Sequence, residues 1–247
     1  MPEELGERES RVRAAWGLAG DVKLLREGAL MPVLENAMAE HLARFNIEWH
    51  IIPSAAAVPF DENYVERFYG MCGRDFQRGG LCQELAAGHS RHQGRIVGVE
   101  ATVKPRYLPG NRQHYGTPYG FDATADPFAP YMARAGFTTG TRFAHNYASL
   151  RGLGELINND WRARQLLPPG YRLSVCPPVI FNLIGNLFHT EWSATDALEL
   201  SAYRDSKGNA TCYAVGSNAP GDFSYVQRIA TDSDWTLLGF RLALVPE

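Results

Sequence analysis

The sequence predicts an α+β protein rich in irregular loops, with a helical N-terminal region, on three observations. Apolar residues recur at spacings of three and four between residues 9 and 45. Residues 104 to 142 are dense in Pro, Gly, aromatic and small polar residues. The apolar run from Phe181 to Phe188 is interrupted by Asn182, Gly185 and Asn186, which suit neither a regular strand nor a regular helix. A chain of 247 residues, 45% of them hydrophobic, can fill one large core or two modest ones. The expected division is a helical docking region over residues 1–95 and a loop-rich domain over 96–247.

Each element has its own justification. Val12, Ala15, Trp16 and Ala19 share a helix face, and so do Leu30, Val33, Leu34, Ala37, Met38, His41, Leu42 and Phe45. Gly28 marks the joint, and Pro32 is placed in the first turn of the second helix, where a missing N–H costs little. Residues 47–52, Ile-Glu-Trp-His-Ile-Ile, read as a strand ended by Pro53. Asp61 is an N-cap candidate for a helix carrying Tyr64, Val65, Phe68 and Tyr69. A short helix from Leu81 to Ala87 leads to Gly88, and residues 95–103 alternate as a strand. Residues 104–142 read as long ordered loops, which inside a compact domain are usually functional. A helix over 146–161 puts Leu150, Leu153, Leu156, Ile157 and Trp161 on one face, and Pro168-Pro169-Gly170 turns the chain before Tyr171. Residues 181–188 read as a shaped, buried loop, and 225–229 as a strand with Tyr225, Gln227 and Ile229 on one side.

Composition removes several classes. A net charge of −3 and a pI near 6.2 argue against nucleic acid as a partner, because such binders concentrate positive charge to release counterions. The start Met-Pro-Glu-Glu-Leu-Gly-Glu-Arg-Glu-Ser is acidic and polar, unlike a secretory signal peptide. The apolar region at 173–188 contains prolines and asparagines and falls short of the ~20 apolar residues that cross a bilayer. The expectation is a soluble protein of a virion or the cytoplasm, with no membrane insertion. Cys72, Cys82, Cys176 and Cys212 are too few for a disulfide scaffold at this length and read as free thiols.

Gly185-Asn186, Glu191-Trp192 and the closing Gly239-Phe240-Arg241 carry a family likeness. Over residues ~100–247 the chain resembles the formylglycine-generating-enzyme-like (sulfatase-modifying-factor) branch of the C-type lectin fold. There a phrase Tyr-Asn-x-x-Gly-Asn-x-x-Glu-Trp precedes a terminal Gly-Phe-Arg, and a helix precedes an Arg-Leu-Pro-Thr phrase. Here Leu173 is followed by Ser174, and the proline arrives at Pro177. The resemblance implies a C-type-lectin-like domain with Trp192 and Phe240 in its core, in a branch that holds both oxidases and pure binding proteins. Its oxidases hold copper with two cysteines after the Glu-Trp phrase; only Cys212 follows Trp192, which argues against that chemistry. The branch often binds calcium through carbonyls of the Gly-Asn turn and the carboxylate that follows. That implies Asn182, Ile184, Gly185, Leu187 and Glu191 as ligands of an ion the fold does not require, with His189 standing where the glutamate would follow directly.

Other chemistry finds weaker patterns. Cys72, Cys82, His89 and His92 are zinc-competent, but their spacing departs from that of usual zinc sites. His189-Thr190-Glu191 mimics part of an iron facial triad, yet no histidine follows residue 189. Residues 88–92, Gly-His-Ser-Arg-His, lack the second glycine of a nucleophile elbow, and Gly152-Leu153-Gly154 lacks the third glycine of a dinucleotide fingerprint.

A recognition surface is the remaining reading. Tyr203, Arg204, Tyr213, Asn218, Phe223, Tyr225, Arg228 and Trp235 stand among small polar residues, a mixture that binding surfaces favour. In lectin-like folds this stretch supplies the ligand-facing side. The expected function is a non-catalytic recognition protein for a cell-surface glycan or protein ligand, docked to itself or a larger assembly through its N-terminal region. One setting is a phage or phage-like virion, at a fibre tip or as shell decoration; another is a retroelement-diversified variable binding protein. The rival is a metal-dependent oxidoreductase of the formylglycine-generating-enzyme-like group, using His89, His92 or His145 with iron or copper.

Overall fold

Alternating and helical periodicities resolve into two four-stranded sheets, a short hairpin and seven helices among the described residues, an α+β architecture. The computed structural model describes residues 2–29, 32–69, 81–102, 106–108, 112–114, 126–137, 141–194, 198–204, 207, 209–216 and 226–247. The helices are α1 (Pro2–Trp16), α2 (Asn36–Arg44), α3 (Glu62–Tyr69), α4 (Leu81–His92), α5 (Ala129–Arg134), α6 (Tyr147–Ala163) and α7 (Pro178–Leu187). The strands are β1 (Ile47–Ile52), β2 (Arg95–Glu100), β3 (Arg106–Leu108), β4 (Arg112–His114), β5 (Tyr171–Val175), β6 (Leu198–Arg204), β7 (Ala210–Val215), β8 (Val226–Ile229), β9 (Leu238–Phe240) and β10 (Leu242–Pro246).

The first sheet has the order β1-β2-β10-β5 and is antiparallel throughout. The second has the order β8-β7-β6-β9, with β6 and β9 parallel. Only Arg241 separates β9 from β10, so the chain steps from one sheet to the other across a single residue. The division expected at residue 95 falls at the start of β2, whose neighbours are β1 on one side and β10 on the other. Residues 1–95 and 96–247 therefore share a sheet.

Several elements form where local chemistry places them. Asp61 Oδ1 accepts from the Tyr64 amide at 3.0 Å and caps α3, and Asn146 caps α6 by accepting from the Ser149 amide at 3.0 Å. α6 buries Leu150, Leu153, Ile157 and Trp161, the last of these edge-on to His41 and Phe45, and Asn158 ties the helix to β5 by bonding both the N–H and the C=O of Leu173. Trp192 and Phe240 are fully buried. Gly28 has φ +77°, as a joint requires.

Three expectations are corrected. α2 starts at Asn36, after Pro32, Val33, Leu34 and Glu35 pass without regular structure and with Val33 exposed. α4 runs through Gly88 to His92, because Gly88 packs under the Tyr203 ring: a Cβ there would lie 2.3 Å from it. The buried loop expected at 181–188 is mostly helix α7, begun by Pro177 in extended conformation and Pro178 in the first turn. Val179, Ile180, Phe181, Leu183 and Ile184 are all buried, and a helix apolar on every side belongs in a core. Asn182 spends its side chain on the Phe68 carbonyl at 2.9 Å, and Asn186 on the Asn182 carbonyl at 2.9 Å, so neither diverts the backbone.

Buried charges join the sheets. Arg241 pairs with Glu199 of β6 through Nε–Oε2 at 3.1 Å and Nη2–Oε1 at 2.9 Å, and donates Nη1 to the carbonyls of Glu100 (2.5 Å) and Thr102 (2.6 Å). Its guanidinium lies 3.8 Å from the Trp192 ring centroid. Beside it, Arg142 is clamped by Glu100 at 2.7 Å and Asp126 at 2.6 Å, between the rings of Phe128 and Phe240. Removing one member leaves a buried charge uncompensated, which costs about 3–5 kcal/mol. Glu199→Ala is expected to lower the unfolding free energy by that amount in urea titrations.

Burial also couples folding to pH. His89 is fully buried beside Phe60 and Tyr64, and burial pushes its imidazole down to about 4. The folded state thus binds fewer protons than the unfolded state between pH 4 and 6.5. The contribution is complete above pH 6.5 and is lost on acidification, at up to about 1.4 kcal/mol per pH unit. Thermal scans from pH 7.5 to 4.5 should show His89→Phe losing stability less steeply than the native sequence.

Candidate functional site

A cleft of roughly 230 Å³ opens where α4, β2, β5, β6 and the end of β10 meet. Alternation along β5 buries Tyr171, Leu173 and Val175 on one face and turns Arg172 and Ser174 to the other, into the cleft. The last turn of α4 adds Arg91 and His92, β2 begins with Arg95, and β6 contributes Tyr203, whose ring stacks on His92 with centroids 6.4 Å apart. None of Arg91, Arg95 and Arg172 has a carboxylate within ion-pair distance among the described residues. Arg95 Nε is buried without a hydrogen-bond partner. Glu247, at the rim, is engaged by Arg162. Burial, then the charges of His89 and the three arginines, push His92 down to about 3, so its ring is neutral and the arginines carry the positive field.

A second cluster lies on β1. Glu48 and His50 are two residues apart on this strand and share a face, and the chain leaving α7 brings His189 to them. Glu48 Oε2 lies 3.4 Å from His189 Nε2 and 3.6 Å from His50 Nε2, and one donor atom from each residue falls within 4.8 Å of the others. His189 Nδ1 is 2.8 Å from Glu191 Oε1, and its ring stacks on Trp192 with centroids 4.6 Å apart and planes 6° apart. Arg8 of α1 donates to Glu48 Oε2 at 2.5 Å and to the Trp49 carbonyl at 2.9 Å. Burial alone would raise the Glu48 carboxyl, but the facing imidazoles of His189 and His50 and the Arg8 charge hold it far below the usual range. Burial pushes His50 down to about 4, which leaves it neutral.

The sequence-predicted residues are only partly brought together. Tyr213 is buried and donates its hydroxyl to Glu84 at 3.0 Å, and the exposed Arg228 meets the same Glu84 at 3.0 Å. Tyr203 is buried in the cleft wall, and its hydroxyl accepts from the Val179 amide at 3.3 Å. The exposed aromatic patch expected here thus loses Tyr203 and Tyr213 to the core. Trp235 is 42% exposed, and Arg204 ends β6. Asn218, Phe223 and Tyr225 lie outside the described residues, as does Cys72.

The proposed calcium ligands Asn182, Ile184, Gly185 and Leu187 stand within α7, with Glu191 on the 3-10 turn that follows. The carbonyls of Ile184 and Gly185 accept from the Phe188 and His189 amides, and that of Asn182 from Asn186, so the open carbonyl turn assumed for calcium is a closed helix. Sequence reasoning missed Glu48, His50, Arg91, Arg95 and Arg172. The alternation of Glu48 and His50 on the strand read at 47–52 is one available signal; residues 171–175 alternate too, but lie outside the expected strands.

No family model matches the chain, and no curated protein or solved structure matches it. The cleft wall can be tested directly. Gly88→Ala forces a methyl into the Tyr203 ring, and overpacking of this kind costs about 1–3 kcal/mol. Urea titration should register that loss, and tyrosine near-UV circular dichroism should change with it.

Proposed function

We propose that this chain is a non-catalytic recognition protein of the C-type-lectin-like kind, and that it captures a small anionic group, a carboxylated or phosphorylated sugar, in the cleft between α4 and β5. The observation that carries this reading is the convergence of Arg91, Arg95 and Arg172, without carboxylate partners among the described residues, on one concavity of a chain whose net charge is −3. Planar guanidiniums match carboxylate and phosphate geometry, and Arg95 Nε is a buried donor that a ligand oxygen would satisfy. Tyr203 and Ser174 add an apolar wall and a hydroxyl, the mixture a sugar uses. A volume near 230 Å³ suits one sugar residue.

Two further facts support the lectin-like reading. Glu191-Trp192 and Gly239-Phe240-Arg241, the phrases that carry the family resemblance, meet in space, with Arg241 over the Trp192 ring at 3.8 Å. Cys176 and Cys212 are buried thiols raised by burial, Cys212 to about 12, and only Cys212 follows the Glu-Trp phrase where the oxidases carry two.

Calorimetric titration with glucuronate, glucose 6-phosphate and glucose tests the reading. Either anionic sugar is expected to bind at micromolar to millimolar Kd, more weakly as salt is added. The carboxylate and phosphate arms identify which anion the cleft takes. Arg172→Ala should weaken binding at least about tenfold, or about 1.4 kcal/mol. Glucose binding as tightly as its anionic relatives, or Arg172→Ala and Arg91→Ala both binding like the native sequence, would overturn it.

A further inference from the structure

The cluster on β1 is independent of the cleft and carries its own chemistry. His50 has no exposed surface, and neither ring nitrogen has a hydrogen-bond partner; the Glu48 carboxylate, at 3.6 Å, is too far to be one. His189 Nε2 is likewise buried and unpartnered, while Nδ1 of the same ring is fixed by Glu191. A carboxylate that fixes one nitrogen and leaves the other aimed at a shared point is the arrangement by which proteins orient histidine ligands to metals. Trp192 stacked on His189, and Phe188 packed on His50 with centroids 4.8 Å apart, hold both rings in place.

The spacing fits an ion. Ligand bonds of about 2.0–2.1 Å in a tetrahedral shell put neighbouring donors about 3.3 Å apart. Glu48 Oε2 already stands 3.4 and 3.6 Å from the two imidazole nitrogens. Two imidazoles and one carboxylate are too nitrogen-rich for calcium or magnesium and lack the thiolates that select Cu(I), whereas they suit zinc and its first-row neighbours. Three protein donors also leave a coordination position for water or an outside ligand.

We propose that Glu48, His50 and His189 bind one divalent transition-metal ion of the zinc class, with Arg8 holding the Glu48 carboxylate when no ion is present. Arg8 then competes with the metal for Oε2, since both are cations that seek the same oxygen.

Calorimetric titration of the chelator-treated full chain with zinc chloride tests this. One equivalent should bind. Glu48→Gln and His189→Asn, both at the half-open rim of the site, should each weaken binding at least tenfold while circular dichroism stays native, and Arg8→Gln should tighten it. X-ray absorption of the cobalt-loaded native protein gives a second reading, with a nitrogen and oxygen shell that includes imidazole scattering. Uptake well below one equivalent, zinc binding that neither rim variant weakens, or a sulfur shell around cobalt would overturn the proposal.

Discussion

The guanidinium of Arg241 is the constraint on which the rest of the structure depends. It occupies the single residue between β9 and β10, where the backbone leaves one sheet and joins the other. A charge at such a point is tolerable only if every donor is matched, because the interior does not solvate it. Glu199 takes two of its donors, the carbonyls of Glu100 and Thr102 take the third nitrogen, and the Trp192 face covers the plane. Each partner comes from a different part of the chain: β6, the end of β2, and the turn after α7. Satisfying one side chain therefore fixes the relative placement of four segments.

That placement positions both sites. Fixing the end of β2 fixes β1 through the register Ile47↔Glu100 to Ile52↔Arg95, and with it Glu48 and His50. Holding Trp192 fixes the ring on which His189 stacks. On the other side, the Arg241 carbonyl accepts from the Cys176 amide at 2.9 Å, and Ser201 bonds the Cys176 carbonyl, so β5 and β6 are tied at the floor of the basic cleft. Glu48 and His50 at one site, and Arg95, Arg172 and Tyr203 at the other, stand on strands whose register the buried charges enforce, which is how a scaffold holds side chains in productive geometry.

Much of this frame is legible in the sequence, for reasons local to each element. The β1 strand, the Asp61 and Asn146 caps, the α6 face and the turn at Gly170 follow from periodicity and capping chemistry within a few residues. The buried Trp192 and Phe240 follow from motif resemblance. Helix α7 does not, because Asn182, Gly185 and Asn186 weaken its intrinsic propensity and only packing on every side restores it. Tyr213 misleads in the opposite sense: a tyrosine hydroxyl suits a surface, but a hydrogen bond to Glu84 lets it be buried. The two clusters are hard to read as clusters for a third reason. Glu48 and His189 are 141 residues apart in the chain, and Arg95 and Arg172 are 77 apart; only the sheet order brings them together.

The arginines themselves separate structure from function. Lysine is scarce, with three residues against twenty-one arginines, so arginine serves both in the core and at the surface and its identity alone says nothing. Environment does. Arg142 and Arg241 lie in the interior and meet carboxylates at 3.1 Å or less, a pattern that balances desolvation and organises the fold. Arg8 and Arg13 lie on a helix surface, each against one glutamate. Arg91, Arg95 and Arg172 fit neither pattern, being gathered close enough to push His92 down while meeting no acid among the described residues. Like charges held together cost free energy, and a fold that carries this cost beside a pocket has the field an incoming anion would neutralise. The same distinction applies at β1, where the buried imidazole of His50 and the unpaired Nε2 of His189 face one carboxylate.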